Sequence, residues 1–159
     1  MPKSSSLIDQ PVADLQFVST QNTLNSFSQL RGKNIVIYFY PKDNTPGCTR
    51  ESQDFRDLHE QFTALDTIVL GVSRDSLKSH ENFIRKHKLP FVLISDSDEA
   101  LCHYFNVIKQ KKLFGVISMG IQRSTFLIDR QGIIRKEWRN VRVPNHATEV
   151  QAAVAALKS

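Results

Sequence analysis

Residues 35–62 read IVIYFY-PKDNTPGC-TRESQDFRDLHEQF, and this stretch decides the fold class. Its first six residues are a continuous run of strand formers, which predicts a strand covered on both faces of a central sheet. The turn 41–48 holds two prolines and a glycine, and apolar residues then recur at helical spacing from Thr49 to Phe62. The stretch is predicted to run strand, turn, helix, with Cys48 at the start of the helix.

The rest of the chain alternates strands with helices and then adds a hairpin. Further strands are predicted at 67–72, 91–94, 124–128 and 133–138. Helix caps are predicted at Asp75 or Ser76, at Asp96 or Ser97, and at Thr148. Residues 108–120 are predicted to form a loop. This order predicts an α/β, thioredoxin-like fold: a central mixed β-sheet flanked by helices, parallel at first and antiparallel at one edge.

The composition is that of one globular domain. The 159 residues are 40% hydrophobic and 23% charged, so we expect a single domain over 1–159, with polar residues 1–6 loose. No segment approaches the roughly 18 apolar residues that span a bilayer, and the N-terminus lacks the apolar stretch of a secretory signal. We therefore expect a cytoplasmic protein.

The net charge of +5 raises nucleic acid or a membrane surface as partners. The densest basic run is Lys109-Gln110-Lys111-Lys112, a pattern typical of a solvated loop, and no aromatic-interleaved basic motif accompanies it. We predict no nucleic-acid and no membrane partner, with salt-sensitive binding through this run as the alternative.

The two cysteines, Cys48 and Cys102, do not make a disulfide framework, and neither has further Cys or His at metal-ligand spacing. No metal is predicted. At a helix start, free backbone N–H groups and the helix dipole favour a thiolate, the nucleophilic form of cysteine. Position alone leaves two interpretations of Cys48 open: a reactive thiol, or a buried filler at a strand–helix junction.

Several residues could assist a thiolate at Cys48. Gly47 permits close approach, and Thr45 can aim a hydroxyl at the same place. Arg123, at the start of a predicted strand, could stabilise a thiolate without accepting its proton, although a solvated strand end is the alternative interpretation. The five histidines are predicted on polar helix surfaces or in loops, with none assigned to Cys48: His59, His80, His87, His103 and His146.

The spacing Pro41-x-x-x-Thr45-x-x-Cys48 resembles the signature of peroxiredoxins. The longer string FYPKDNTPGCTRESQDFRD is similar to the PrxQ, or bacterioferritin comigratory protein (BCP), subfamily. VLGVSRDSLKSHENFIRKHKLPFVLISD and GIQRSTFLID continue the similarity, which covers roughly residues 7–157.

The resemblance implies a thioredoxin fold and a peroxidase that reduces hydrogen peroxide and organic hydroperoxides without a cofactor. It implies Cys48 as the peroxidatic cysteine, Thr45 and Arg123 as peroxide activators, and Pro41 as a shield of the site. Attack by the thiolate would leave a sulfenic acid. Glu51, one helical turn after Cys48, could orient Arg123 or be a plain first-turn acidic residue.

The chain departs from the subfamily where a resolving cysteine is expected. The two usual positions hold Gln53 and Ile84. Glu51 stands where the second cysteine of a Cys-x-x-Cys pattern would be, so that pattern is also absent. Cys102 is the remaining candidate, with a small buried hydrophobe as the alternative interpretation.

We therefore predict a one-cysteine mechanism in which thioredoxin, glutaredoxin or glutathione reduces Cys48. The alternatives are a two-cysteine peroxidase that uses Cys102 and a redox sensor switched by Cys48 oxidation. A monomer is expected, with a dimer as the alternative.

Overall fold

The structure is a computed structural model that describes residues 6–157. The loose segment predicted for residues 1–6 therefore lies outside the described residues, except for Ser6. The Ser6 hydroxyl accepts a hydrogen bond from the backbone N–H of Ile8 at 3.2 Å.

Within this range the chain forms eight strands, five α-helices and one short 3-10 helix. In chain order they are β1 (Val18–Ser19), the 3-10 helix (Phe27–Leu30), β2 (Asn34–Phe39), α1 (Pro46–Asp57), α2 (His59–Ala64), β3 (Thr67–Ser73), α3 (Leu77–His87), β4 (Val92–Ser95), α4 (Ala100–Tyr104), β5 (Ile108–Leu113), β6 (Val116–Ile121), β7 (Ser124–Ile128), β8 (Ile134–Arg139) and α5 (His146–Ala155). None of these helices has the length and apolar character that crossing a lipid bilayer requires.

Six strands form one mixed sheet in the order β1-β4-β3-β2-β7-β8. The neighbours β4, β3 and β2 are parallel, whereas β7 and β8 continue the sheet antiparallel from β2. This confirms the predicted thioredoxin-like α/β fold. The structure adds one antiparallel pairing beyond the prediction, because β1 pairs antiparallel with β4 at the other edge.

The six-stranded sheet divides the core into two layers, one on each face. Its central strand β2 is covered on both faces, and all six of its residues are buried. Alternate side chains of a strand point to opposite faces, so Phe39 enters one layer and Tyr38 the other. Cys102 belongs to the layer of Phe39, and Cys48 belongs to the layer of Tyr38. The two thiols therefore lie on opposite sides of the sheet.

Helix α1 is fixed to the sheet through Tyr38. The Tyr38 ring stacks on Phe55 of α1 at 4.7 Å, and its hydroxyl shares a buried hydrogen bond of 2.8 Å with the Ser52 hydroxyl. Gly71 of β3 makes room for this ring, since a Cβ there would lie 2.8 Å from the Tyr38 Cζ atom. These contacts hold the start of α1 at the carboxyl end of β2.

The predicted helix from Thr49 to Phe62 is two helices. α1 begins at Pro46, which suits a first turn because its missing N–H would have no helical acceptor there. The chain leaves helical geometry at Leu58, and α2 follows. Both helices bury a phenylalanine toward the core, so the apolar spacing is kept across the break and does not reveal it.

The predicted loop at 108–120 is also wrong, because β5 and β6 form an antiparallel hairpin there. Its turn consists of Phe114 at φ 53° and Gly115 at φ 78°, two positive values typical of a type I′ turn. Most of the described side chains of the hairpin are exposed. It therefore lacks the apolar alternation by which a half-buried strand is recognised.

Of the three predicted helix caps, the one at Ser76 is confirmed, because its hydroxyl accepts from the Ser79 N–H at the start of α3. The cap predicted at Asp96 or Ser97 is wrong: the cap position of α4 is Glu99, at φ 63°. Asp96 lies before it, and its carboxylate accepts from the backbone N–H groups of Leu101 and Cys102. The cap predicted at Thr148 is wrong: α5 begins two residues earlier, after Asn145 at φ 65°. Asparagine adopts this left-handed conformation more readily than most residues, which permits the earlier start.

Candidate active site

Cys48 is the third residue of α1, after Pro46 and Gly47 in its first turn. Backbone N–H groups in this turn have no helical acceptor, and the helix dipole gives this end a partial positive charge. Both favour a negative charge on a side chain in the first turn. The side chain is 1% exposed and lies at the carboxyl end of β2. The turn that follows β2 thus places a sulfur where polar groups can reach it from the sheet edge.

Arg123 connects Cys48 to Glu51. Its Nη2 atom lies 3.4 Å from the Cys48 Sγ, and its Nη1 donates to the Glu51 Oε1 at 2.7 Å. Arg123 immediately precedes β7, and the first residue of β7 pairs with Phe39 at the end of β2. The antiparallel pairing therefore brings the guanidinium to the strand end that leads to Cys48. The structure places these three predicted site residues together.

Gly47 leaves room for the guanidinium. A Cβ at this position would lie 3.1 Å from the Arg123 Nη2, so the guanidinium would have to shift by a few tenths of an ångström. A side chain at position 47 would press on the nitrogen that contacts Cys48. The glycine therefore permits the close packing of Arg123 against the start of α1.

Glu51 is buried with half of its carboxylate unpartnered. It is 1% exposed, and its Oε2 has no hydrogen-bond partner among residues 6–157. Burial raises the pKa of Glu51 to about 7, although the charge of Arg123 opposes the shift. Burial by itself would lower the pKa of Arg123. The negative charges of Glu51 and Cys48 together have the larger effect, so the pKa of Arg123 is raised.

This environment predicts a pH-dependent contribution of Glu51 to stability. Because its pKa is higher in the folded than in the unfolded chain, the folded state binds more protons between pH 4.5 and about 7. The free energy of unfolding should therefore fall as pH rises through this window, by about 1.4 kcal/mol for each unit of pKa difference. Urea denaturation of wild type and Glu51→Gln at several pH values measures this contribution.

The difference between the two pH profiles isolates Glu51 from other buried groups. Burial lowers the pKa of His146 to about 4, for example, which makes the fold lose stability below pH 6.5 in both proteins. Parallel profiles for wild type and Glu51→Gln would contradict the prediction.

Thr45 and Pro41 lie in the turn before α1. The Thr45 hydroxyl donates to the carbonyl of Lys42 at 2.8 Å and so closes the turn. Pro41 is half-buried at its start. Their predicted roles toward a peroxide remain predictions.

Cys102 is placed far from this chemistry. It is fully buried in α4, on the other side of the sheet, and its backbone N–H donates to the Asp96 carboxylate at 2.8 Å. Burial, together with Asp96, raises the pKa of the Cys102 thiol far above its usual range. A neutral, enclosed thiol is a poor nucleophile.

The prediction for the histidines is wrong for two of the five. His80 and His146 are buried, because each finds polar partners inside the protein. The His80 Nδ1 lies 2.7 Å from the Asp43 carboxylate and its Nε2 lies 2.9 Å from the Ile94 carbonyl; the His146 Nε2 lies 2.8 Å from the Thr125 hydroxyl. Across the described residues, no histidine hydrogen-bonds to Cys48.

Asp43 is a supporting residue that the sequence did not reveal. Its buried carboxylate accepts from the hydroxyls of Tyr40 at 2.6 Å and Ser79 at 2.8 Å and pairs with His80. Its N–H donates to the Asp75 carboxylate at 2.8 Å. These bonds tie the turn before Cys48 to α3. Asp75, Ser79 and His80 lie more than thirty residues from Asp43, so local sequence carries no signal for these three bonds.

A single thiol at a helix start, held against an arginine at the edge of a thioredoxin-like sheet, defines a thiol-dependent redox protein. The chain belongs to the AhpC/TSA family, whose model matches residues 8–137. Among its relatives is Peroxiredoxin Bcp of Bacillus subtilis, 50% identical over 142 residues that cover 89% of this chain and 90% of that protein. The predicted resemblance to the PrxQ/BCP subfamily is confirmed.

Solved structures agree with this assignment. The bacterioferritin comigratory protein of Xanthomonas campestris, studied for its alkyl peroxide reduction activity, is 46% identical with a TM-score of 0.85, covering 89% of this chain and 90% of that one. Peroxiredoxin Q from Xanthomonas campestris is 44% identical with a TM-score of 0.88, covering 96% of this chain and 98% of that one.

Proposed function

We propose that the protein is a thiol-dependent peroxidase that reduces hydrogen peroxide and organic hydroperoxides at Cys48. The observation that carries this proposal is the position of Arg123, which contacts the Cys48 sulfur and is itself held by buried Glu51. The family and the named activities of its relatives support the same reaction class.

In the proposed reaction the Cys48 thiolate attacks one peroxide oxygen. An S–O bond forms, the O–O bond breaks, and the leaving hydroxide or alkoxide takes up a proton. Arg123 and the Cys48 backbone N–H stabilise the charge that moves onto the oxygens, and the same donors orient the peroxide in line with the sulfur. Thr45 adds a donor when its hydroxyl turns from the Lys42 carbonyl toward the peroxide, and Pro41 shields the site. The product is the Cys48 sulfenic acid.

We propose further that an external thiol restores Cys48. Gln53 and Ile84 supply no sulfur, and the sheet separates Cys48 from Cys102. A thiol of thioredoxin, glutaredoxin or glutathione attacks the sulfenic acid and releases water, and a second thiol then releases the Cys48 thiolate. The proposal places a monomeric enzyme in the cytoplasm, a reducing compartment that supplies such thiols.

The oxidation product tests both parts of the proposal. After one equivalent of hydrogen peroxide, intact mass should increase by one oxygen atom, and dimedone should label Cys48. Cys102→Ala should give the same product at the same rate. An unmodified Cys48 would overturn the peroxidase. A Cys48–Cys102 disulfide that forms at the rate of turnover would overturn the one-cysteine mechanism.

A further inference from the structure

The hairpin β5–β6 exposes an unusual concentration of apolar side chains. Apart from Leu113, six large hydrophobic side chains are exposed among residues 6–157, and four of them lie on the hairpin: Phe114, Val116, Ile117 and Met119. Three lysines accompany them: Lys109, Lys111 and Lys112. These seven residues are called the hairpin surface below. The strand register puts Ile117, Met119 and Lys112 on one face of the hairpin and Val116, Lys109 and Lys111 on the other, with Phe114 at the tip between them. A partner that encloses the tip therefore contacts both faces. Exposed apolar side chains beside charged ones are a mark of an interaction site.

Phe114 is not explained by folding. Its side chain is 95% exposed, so the ring contributes almost no burial to the fold. Its backbone has φ 53°, a conformation that favours glycine or asparagine and disfavours a bulky side chain. Both solvation and backbone preference oppose phenylalanine at the tip. A partner that buries the ring would offset these costs.

The hairpin surface borders the active site. β6 ends at Ile121, two residues before Arg123. The Lys111 side chain lies across Gly120, with its Cδ 3.2 Å and its Nζ 3.5 Å from the position of a Cβ there. Partial burial and the charges of Arg123 and Arg74 lower the pKa of Lys111, while the Cys48 thiolate opposes this. Lys111 is therefore within electrostatic reach of Cys48.

The charge of the hairpin surface selects its occupant. Residues 108–121 contain no Asp or Glu, and within the described residues no ion pair engages any of the three lysines. A second copy of the chain would bring two sets of lysines together, which is unfavourable. An apolar partner surface with an acidic rim fits instead.

We infer that the hairpin surface docks the external reductant, an acidic dithiol protein whose reactive cysteine lies among apolar residues. This inference rests on the proposed function, which requires such a thiol to reach the Cys48 sulfenic acid. The partner's thiolate attacks the Cys48 sulfur, the S–O bond breaks and water leaves. The partner's second thiolate then breaks the mixed disulfide, so the partner leaves oxidised and Cys48 is a thiolate again.

Phe114 and the lysines have different tasks in this docking. A single aromatic side chain buried at the centre of an interface commonly dominates its affinity. Lysines at the rim mainly accelerate the encounter with an acidic partner, and this effect weakens as salt screens the charges. Affinity should therefore depend most on Phe114, and salt sensitivity on the lysines.

Turnover with thioredoxin, its reductase and NADPH tests the inference, with dithiothreitol as the small neutral thiol for comparison. Phe114→Asn is the first variant, because asparagine suits the left-handed turn and the hairpin keeps its geometry. Its KM for thioredoxin should rise about tenfold or more. Lys112→Glu should raise this KM by a smaller factor and flatten its salt dependence. Both variants should keep the wild-type rate with dithiothreitol.

Lys136→Glu, at an exposed position of the edge strand β8, is the matched control for net charge and should leave the thioredoxin KM unchanged.

A wild-type KM in both Phe114→Asn and Lys112→Glu would overturn the inference. Failure of thioredoxin to support turnover of the wild-type protein would also overturn it. Loss of binding to phosphatidylglycerol vesicles in these variants, with unchanged thioredoxin kinetics, would overturn it in favour of a membrane surface. Wild-type protein that is inactive even with dithiothreitol would instead contradict the proposed function.

Discussion

Cys48→Ser should lose all peroxide turnover supported by dithiothreitol, down to the uncatalysed rate. A serine hydroxyl stays protonated near neutral pH and offers no thiolate, although Arg123 and Glu51 remain in place to bind a peroxide. The loss should therefore appear in the chemical step. It is measured by following peroxide consumption at saturating dithiothreitol.

Cys102→Ala is the matched control for this substitution. Cys102 is as deeply buried as Cys48, but it lies in the opposite layer of the core, and alanine keeps its site small and apolar. Its turnover should equal that of the wild type. Equal activity of wild type and Cys48→Ser would remove the chemical basis of the proposed function.

Arg123→Met should slow the oxidation of Cys48 by about 10²- to 10³-fold, the usual cost of removing one preorganised donor from a developing charge. The substitution removes both the contact to the sulfur and the donor for the leaving oxygen. Rapid quenching with a thiol-blocking reagent, followed by mass spectrometry, gives the rate at which the Cys48 thiol is consumed by peroxide.

Arg123→Met also leaves Glu51 without its partner, so a loss of folding must be separated from a loss of chemistry. The double variant Arg123→Met/Glu51→Gln removes the unpaired carboxylate and should recover part of the lost stability, measured by urea denaturation. It should not recover the rate. Arg123→Lys keeps the positive charge but lacks the two guanidinium nitrogens that contact Glu51 and Cys48 at once. Its rate of Cys48 oxidation should therefore lie between those of the wild type and Arg123→Met. A double variant that regains wild-type rates would show that Arg123 acts only through the fold.

The features that the sequence predicted depend on interactions between residues close together in the chain, such as apolar patterning and turn formation. The continuous apolar run of β2 and the proline-glycine turn before Cys48 placed a thiol at a helix start. Local sequence left Arg123 open between a site residue and a solvated strand end, and the resemblance to the subfamily assigned it to the site. The sequence pattern of the subfamily joined these pieces before any distance was known.

The features that were missed depend on contacts between distant segments or on solvent-exposed structure. His80 is buried because Asp43, 37 residues away, accepts its hydrogen bond, and no local pattern records that pairing. The hairpin β5–β6 is held by its own backbone bonds and an unusual turn at Phe114, without an apolar face toward the core. The break at Leu58 leaves the apolar spacing on both sides unchanged.

The sheet that separates the two cysteines also governs how long the oxidised enzyme survives. Under the proposed cycle, no sulfur within the chain can capture the Cys48 sulfenic acid, so its lifetime is set by the concentration of reducing thiol outside. A second peroxide competes for the same sulfur and converts it to sulfinic acid, which is not readily reversed. The ratio of peroxide to reductant, and not the peroxide concentration alone, then decides whether a molecule completes its turnover or is permanently inactivated.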